Sequence, residues 1–168
     1  MNTKITGSRF AAVLVGMAVF TAFFVGCKKD VIRPVDQPYD LDVKLFNSGK
    51  YSNVSGFIKF RQDPDTARII DLDTWVSGLS PDHAYQLQRA VNPIADSTGC
   101  SSTAWLTLGL GLAPMSIHTD AHGNGHADLW RAVTSIARGA QFHIHFQVVD
   151  SLSLAPVLIS DCYDYTVR

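Results

Sequence analysis

Two imidazoles on one stretch, His143-Ile144-His145, have the spacing best suited to chemistry. On an extended chain, residues i and i+2 leave the same face, and two histidines so placed supply half of a tetrahedral metal site. Their face is polar, with Gln141 and Gln147, while Phe142, Ile144, Phe146 and Val148 make an apolar face opposite. Solvated histidines on an outer sheet face are the commoner product of such alternation. His83 follows a turn, and His118, His122 and His126 surround Gly123 and Gly125, which favour a turn over a helix that would align them. Asp120-x-His122-x-Asn124-Gly125 begins like a calcium loop, but its twelfth position is Arg131, where a bidentate Glu is needed. Trp75, Trp105 and Trp130 belong either to the core or to a binding surface. No G-x-S-x-G, P-loop, H-E-x-x-H or S-x-x-K motif occurs.

The elements that position these residues come after an export device. Lys4 and Arg9 precede an uncharged run from Phe10 to Gly26, the build of a secretory signal. The run has 17 residues, marginal for a hydrocarbon core of ~30 Å. Phe24-Val25-Gly26-Cys27 resembles a bacterial lipobox. That resemblance implies a signal peptide over 1–26, acyl chains on Cys27 and a cell-envelope address, with the outer membrane expected, at its periplasmic face or on the cell surface. Residues 27–39 are polar, contain Pro34 and Pro38, and read as a tether holding a single domain, 40–168, off the membrane.

From Cys27 onward 12 Lys+Arg stand against 15 acids, and no basic patch is present, which argues against a nucleic-acid partner. Every acid is Asp; Glu is absent. Asp favours turns and caps where Glu favours helices, so the composition points to strands and turns. Leu41–Leu45, Val54–Phe60, Ile70–Val76, Ala84–Val91 and Phe142–Val148 alternate apolar and polar residues. Asn92–Ser102 reads as a loop, Thr103–Leu108 as a strand, Ile117–Leu129 as a hairpin around Asp120–Gly125, and Val157–Val167 as a final strand. With Cys27 acylated, Cys100 and Cys162 remain as an even pair, for which a disulfide is expected in an oxidising compartment.

Several segments, in order, resemble the Cu/Zn superoxide dismutase family. Ser77-Gly78-Leu79-Ser80-Pro81-Asp82-His83-Ala84-Tyr85-Gln86-Leu87-Gln88 is similar to its turn-and-strand segment S/T-G-L-x-x-G-x-H-G-F-H-V-H. Thr98-Gly99-Cys100-Ser101-Ser102 resembles its G-C-T-S loop, whose cysteine pairs with one in the last strand, where Cys162 stands. Thr119–Asp128 resembles its A-D-x-x-G-x-A-D hairpin, and Gly139–His145 its G-R-T-L-V-V-H strand, which puts His145 on a copper-ligand position. Gln86 and Gln88 replace two copper histidines, and Thr103-Ala104-Trp105 lacks the zinc histidine of G-x-H-F-N-P. The scaffold carries over more fully than the ligand set.

The expected fold is therefore all-β: a Greek-key sandwich or flattened barrel of about eight strands, dismutase-like or immunoglobulin-like. The expected role is a non-catalytic binding or structural domain, joined to the membrane through Cys27; a surface carbohydrate- or protein-binding module, meeting its protein or glycan ligand through the tryptophans and loops, is one alternative. A metal-dependent redox protein using His143, His145 and His83 is the rival. No cofactor is expected beyond loosely captured Cu or Zn.

Overall fold

Apolar residues at every second position favour strands, because successive side chains of an extended chain leave opposite faces. A computed structural model describes residues 39–49, 53–95 and 98–168. The expected signal peptide, Cys27 and all of the tether except Tyr39 lie outside the described residues. Among them the chain forms twelve strands and no helix. In order these are β1 Leu41–Asn47, β2 Ser55–Gln62, β3 Ile69–Ser77, β4 Ala84–Pro93, β5 Leu106–Thr107 and β6 Gly109–Leu110. There follow β7 Ala113–Pro114, β8 Ser116–His118, β9 Gly125–Ala132, β10 Gln141–Asp150, β11 Pro156–Ser160 and β12 Tyr163–Thr166. The four from β5 to β8 have only two or three residues each, which leaves eight substantial strands.

The strands form one sheet in the order β5-β4-β10-β11-β1-β2-β3-β9-β6-β7, with β12 on β10 and β8 on β4. The neighbours β4–β10, β11–β1 and β3–β9 are far apart in sequence, as Greek-key crossovers require. The sheet curls into a flattened, nearly closed barrel. Phe60 of β2 meets Phe146 of β10 at 6.2 Å and Tyr165 of β12 at 4.9 Å, both edge-on, so the two layers interlock through aromatic rings. Val43, Ile58, Leu87, Ile117, Val148 and Leu158 have no exposed surface at all. Each such side chain contributes roughly 1.5–3 kcal/mol relative to exposure.

Three expected elements differ in detail. The arms around Asp120–Gly125 close through a single bridge, Thr119↔Gly125. Beyond it, β8 pairs with β4 while β9 pairs with β3, so the turn is a crossing between layers rather than a hairpin. The final strand is two, β11 and β12, which share one edge of β10 and break at Asp161-Cys162. Ser160 causes the break: its Oγ accepts from Phe146 N (2.9 Å) and donates to Asp161 O (2.7 Å), replacing ladder bonds. The strand expected over Thr103–Leu108 shortens to Leu106–Thr107, because the Cys100–Cys162 disulfide (Cα–Cα 5.6 Å) draws the preceding loop across the outer face of β10. That bond closes 62 residues, for which the chain-entropy estimate is about 4 kcal/mol.

Candidate functional site

The outer face of β2, β3 and β9 carries the most unusual set of side chains. Alternation turns Phe57, Lys59 and Arg61 of β2 outward, together with Asp71, Asp73 and Trp75 of β3 and His126, Asp128 and Trp130 of β9. Strand register then aligns them in rows. Phe57, Trp75 and His126 are directly opposite one another, and Lys59, Asp73 and Asp128 form the next row.

The first row is a row of rings. Phe57 and Trp75 have centroids 6.1 Å apart, while Trp75 and His126 stack at 4.9 Å with planes 18° from parallel. Trp75 is 39% exposed and Trp130 38%, so both offer indole surface to solvent. The second row holds charge against the rings. His126 Nε2 lies 2.6 Å from Asp73 Oδ1 and 3.4 Å from Asp128 Oδ1. Asp73, His126 and Asp128 form a group whose ligand atoms all lie within 4.8 Å of one another. That spacing suits one divalent cation with water completing its shell, although the three also satisfy each other without one.

At the end of this face an open cleft of about 610 Å³ is lined by Trp75, Ser77, His118, Asp120, Asn124 and His126. Its far wall is the Asp120–Gly125 turn, which is built rigidly. Asp120 Oδ1 accepts from His122 N (2.8 Å) and Asn124 N (2.9 Å). The amides of Asn124 and His122, in that order, hold the Asp120 carboxyl below its ordinary range. Gly123 has φ +78°, and a Cβ there would lie 2.0 Å from Leu79 O, so only glycine fits. Ser77 Oγ donates to Asn124 Oδ1 at 2.7 Å, tying the turn to the end of β3. The calcium-like spelling of this turn thus describes a cap: Asp120 serves backbone amides.

The histidines singled out by sequence take separate partners. His83 Nε2 bonds Asp150 Oδ2 at 2.6 Å, and His143 Nδ1 bonds Asp164 Oδ1 at 2.7 Å. His145 Nε2 donates to Ser102 O at 3.1 Å, with the Trp105 ring 4.6 Å away. Among the described residues the one group of three or more clustered metal-ligating side chains is Asp73, His126 and Asp128, so His83, His143 and His145 do not come together. Gln88, on a copper-histidine position of the resemblance, instead crosslinks the layer: its Nε2 donates to Thr107 Oγ1 (3.1 Å) and its Oε1 accepts from Gln147 Nε2 (2.7 Å). Asp150 is held down to about 2, chiefly by the amide of Ser153 and then by His83 and the amide of Leu152. Cys27 lies outside the described residues.

Sequence reasoning missed the Trp75 row because it exists only across strands. Alternation gave each residue's face, but nothing local pairs residue 75 with residue 126. No protein-family model matches this chain, and no curated protein sequence matches it.

Proposed function

We propose that this chain is a lipid-anchored cell-envelope protein whose β-sandwich domain binds a glycan, without catalysis, on the outer face of β2, β3 and β9. The observation that carries the reading is the exposed ring row Phe57–Trp75–His126 beside Asp73, Asp128 and the cleft of Asp120 and Asn124. A sugar ring has apolar C–H faces and a rim of hydroxyls. Flat aromatic rings accept the first and keep a polar tip for water; a few fixed polar groups orient the second. Asp73 and Asp128 in the next row, and Asp120 and Asn124 in the cleft, offer acceptor oxygens beside the rings. A protein ligand would need a broader apolar centre than one indole and its neighbours supply.

The anchor is supported by the charged start, the short apolar run and Gly26-Cys27; Cys27→Ser should abolish labelling by a fatty-acid probe. The dismutase-like reading of the scaffold is part of the proposal, in the sense of a fold that keeps the disulfide and turn while its ligand positions hold Gln86 and Gln88. Fold likeness alone does not carry activity. The test is binding of the full-length protein to an array of bacterial and host glycans. At least one class should bind, and Trp75→Ala should weaken it tenfold or more, with Leu152→Ala, at an exposed site in another turn, unchanged. Absence of any bound glycan, or binding indifferent to Trp75→Ala, refutes the reading.

A further inference from the structure

Between the two layers, at the end of the barrel where β3 begins and β9 ends, lies a second feature independent of the outer face. Tyr85, Leu87, Arg89 and Val91 share the inner side of β4, and Arg89 is paired with Phe146 of β10. Ala127, Leu129 and Arg131 share the inner side of β9, and Arg131 is paired with Ile70 of β3. Two arginine side chains therefore reach the rim of the core from opposite layers. Both line one cavity of about 60 Å³, whose remaining wall is aliphatic and aromatic, Phe60, Leu72, Leu108 and Phe146 among it. One water needs ~10–15 Å³ of such space, so the cavity holds several heavy atoms. Arg89, Arg131, Val91 and Ile136 stay half-buried and mark its mouth.

The charge of this cavity is not balanced. No carboxylate lines it. Arg131 Nη1 donates to Gly111 O at 3.2 Å, a neutral partner, and among the described residues the Arg89 side chain has neither a hydrogen bond nor an ion pair, while its backbone pairs with Phe146 and Leu106. Tyr165, the one lining residue that could ionise to an anion, donates its hydroxyl to Gln62 and is kept neutral by burial. Burial, then the neighbouring charge of Arg131, disfavours the charged form of Arg89. Placing two like charges in an apolar wall is costly unless an anion joins them. Guanidinium groups match carboxylates through paired N–H donors.

We propose that this cavity binds a small monocarboxylate with a short apolar tail, the carboxylate between Arg89 and Arg131 and the tail against Phe60, Leu72 and Phe146. Charge complementarity selects the head and the lining selects the tail. A small inorganic anion would satisfy the arginines but leave the apolar wall unfilled, and a neutral apolar molecule would do the reverse.

The experiment uses full-length protein and three six-carbon probes, hexanoate, 1-hexanol and hexylammonium, followed by isothermal titration. Hexanoate should bind at least tenfold more tightly than hexanol, and hexylammonium should not bind. Arg89→Met and Arg131→Met should each weaken hexanoate tenfold or more. Arg89→Met without ligand should also raise the urea midpoint, since it removes an unpaired charge from an apolar wall. Equal binding of hexanoate and hexanol, no binding of hexanoate at millimolar concentration, or unchanged affinity in both variants overturns the proposal. Should either variant fail to fold, the three-probe comparison on the wild-type protein still decides.

Discussion

The indole of Trp75 lies almost parallel to the imidazole of His126, and that imidazole bridges Asp73 and Asp128, which face each other on β3 and β9. Like charges directly opposite on antiparallel strands destabilise by a few tenths to ~1 kcal/mol. His126 Nε2 lies between the two carboxylates as their shared hydrogen-bonding partner, and its ring stacks on the indole. We expect His126→Ala to lower the unfolding free energy by about 1 kcal/mol, and by less than half of that when Asp128 is already Asn. Urea unfolding of the two single variants and the double variant measures this. An equal cost of His126→Ala in both backgrounds would show that the bridge carries no energy.

Asp150 governs a second, acid-side effect. Its carboxylate caps the turn after β10, accepting from Leu152 N (2.9 Å) and Ser153 N (2.8 Å), and meets His83 at 2.6 Å. Its pKa falls from the ordinary 3.8 to about 2. A depressed folded-state pKa means that the unfolded chain takes up the proton first as pH falls. The stability that Asp150 contributes is therefore whole above pH ~4 and is lost progressively as pH drops through 2. Asp150→Asn should lower stability at pH 6 and flatten the dependence of stability on pH between 4 and 2. A wild-type slope retained in that variant would assign the acid sensitivity to other carboxylates.

The strands of the barrel were legible wherever alternation was strict. Ile70, Leu72, Thr74 and Val76 turn inward as their spacing requires, and so do Tyr85 and Leu87. The disulfide was legible too, from an even pair of cysteines and a family resemblance. The functional face was not, because a face is made by register between strands some 50 residues apart, and alternation carries no register. The same limit applies to His143 and His145. Their i, i+2 spacing does put them on one side of β10, but His143 is directly opposite Asp164 of β12, and His145 lies under the disulfide-tethered loop. Arg89 and Arg131 escaped notice for a related reason. A charged residue in an alternating strand reads as outward, and only the burial of Leu87 and Leu129 two residues before each reveals that both point in.

The hydroxyl of Tyr165 provides the alkaline counterpart. It donates to Gln62 Oε1 at 2.8 Å, an oxygen that also accepts from Arg168 N at 2.8 Å. Gln62 is wholly buried, and its Nε2 finds no hydrogen-bond partner among the described residues, so the network is held from the oxygen side alone. Burial pushes the Tyr165 hydroxyl well above its ordinary 10.0, against the opposing pull of Arg68 and Arg89. A raised folded-state pKa means that stability is whole below pH ~10 and is lost as pH rises, since the unfolded chain releases its proton first. At pH 7, Tyr165→Phe should cost about 1 kcal/mol, the usual net value of one hydrogen bond, because Arg168 N still serves the Gln62 oxygen. Above pH 10 the wild-type protein alone loses roughly 1.4 kcal/mol per pH unit from this group. The two stabilities should therefore converge and cross near pH 11, as measured by urea unfolding at pH 7, 10 and 11. A difference that stays constant over that range would mean that Tyr165 ionises in the folded state as easily as in the unfolded one.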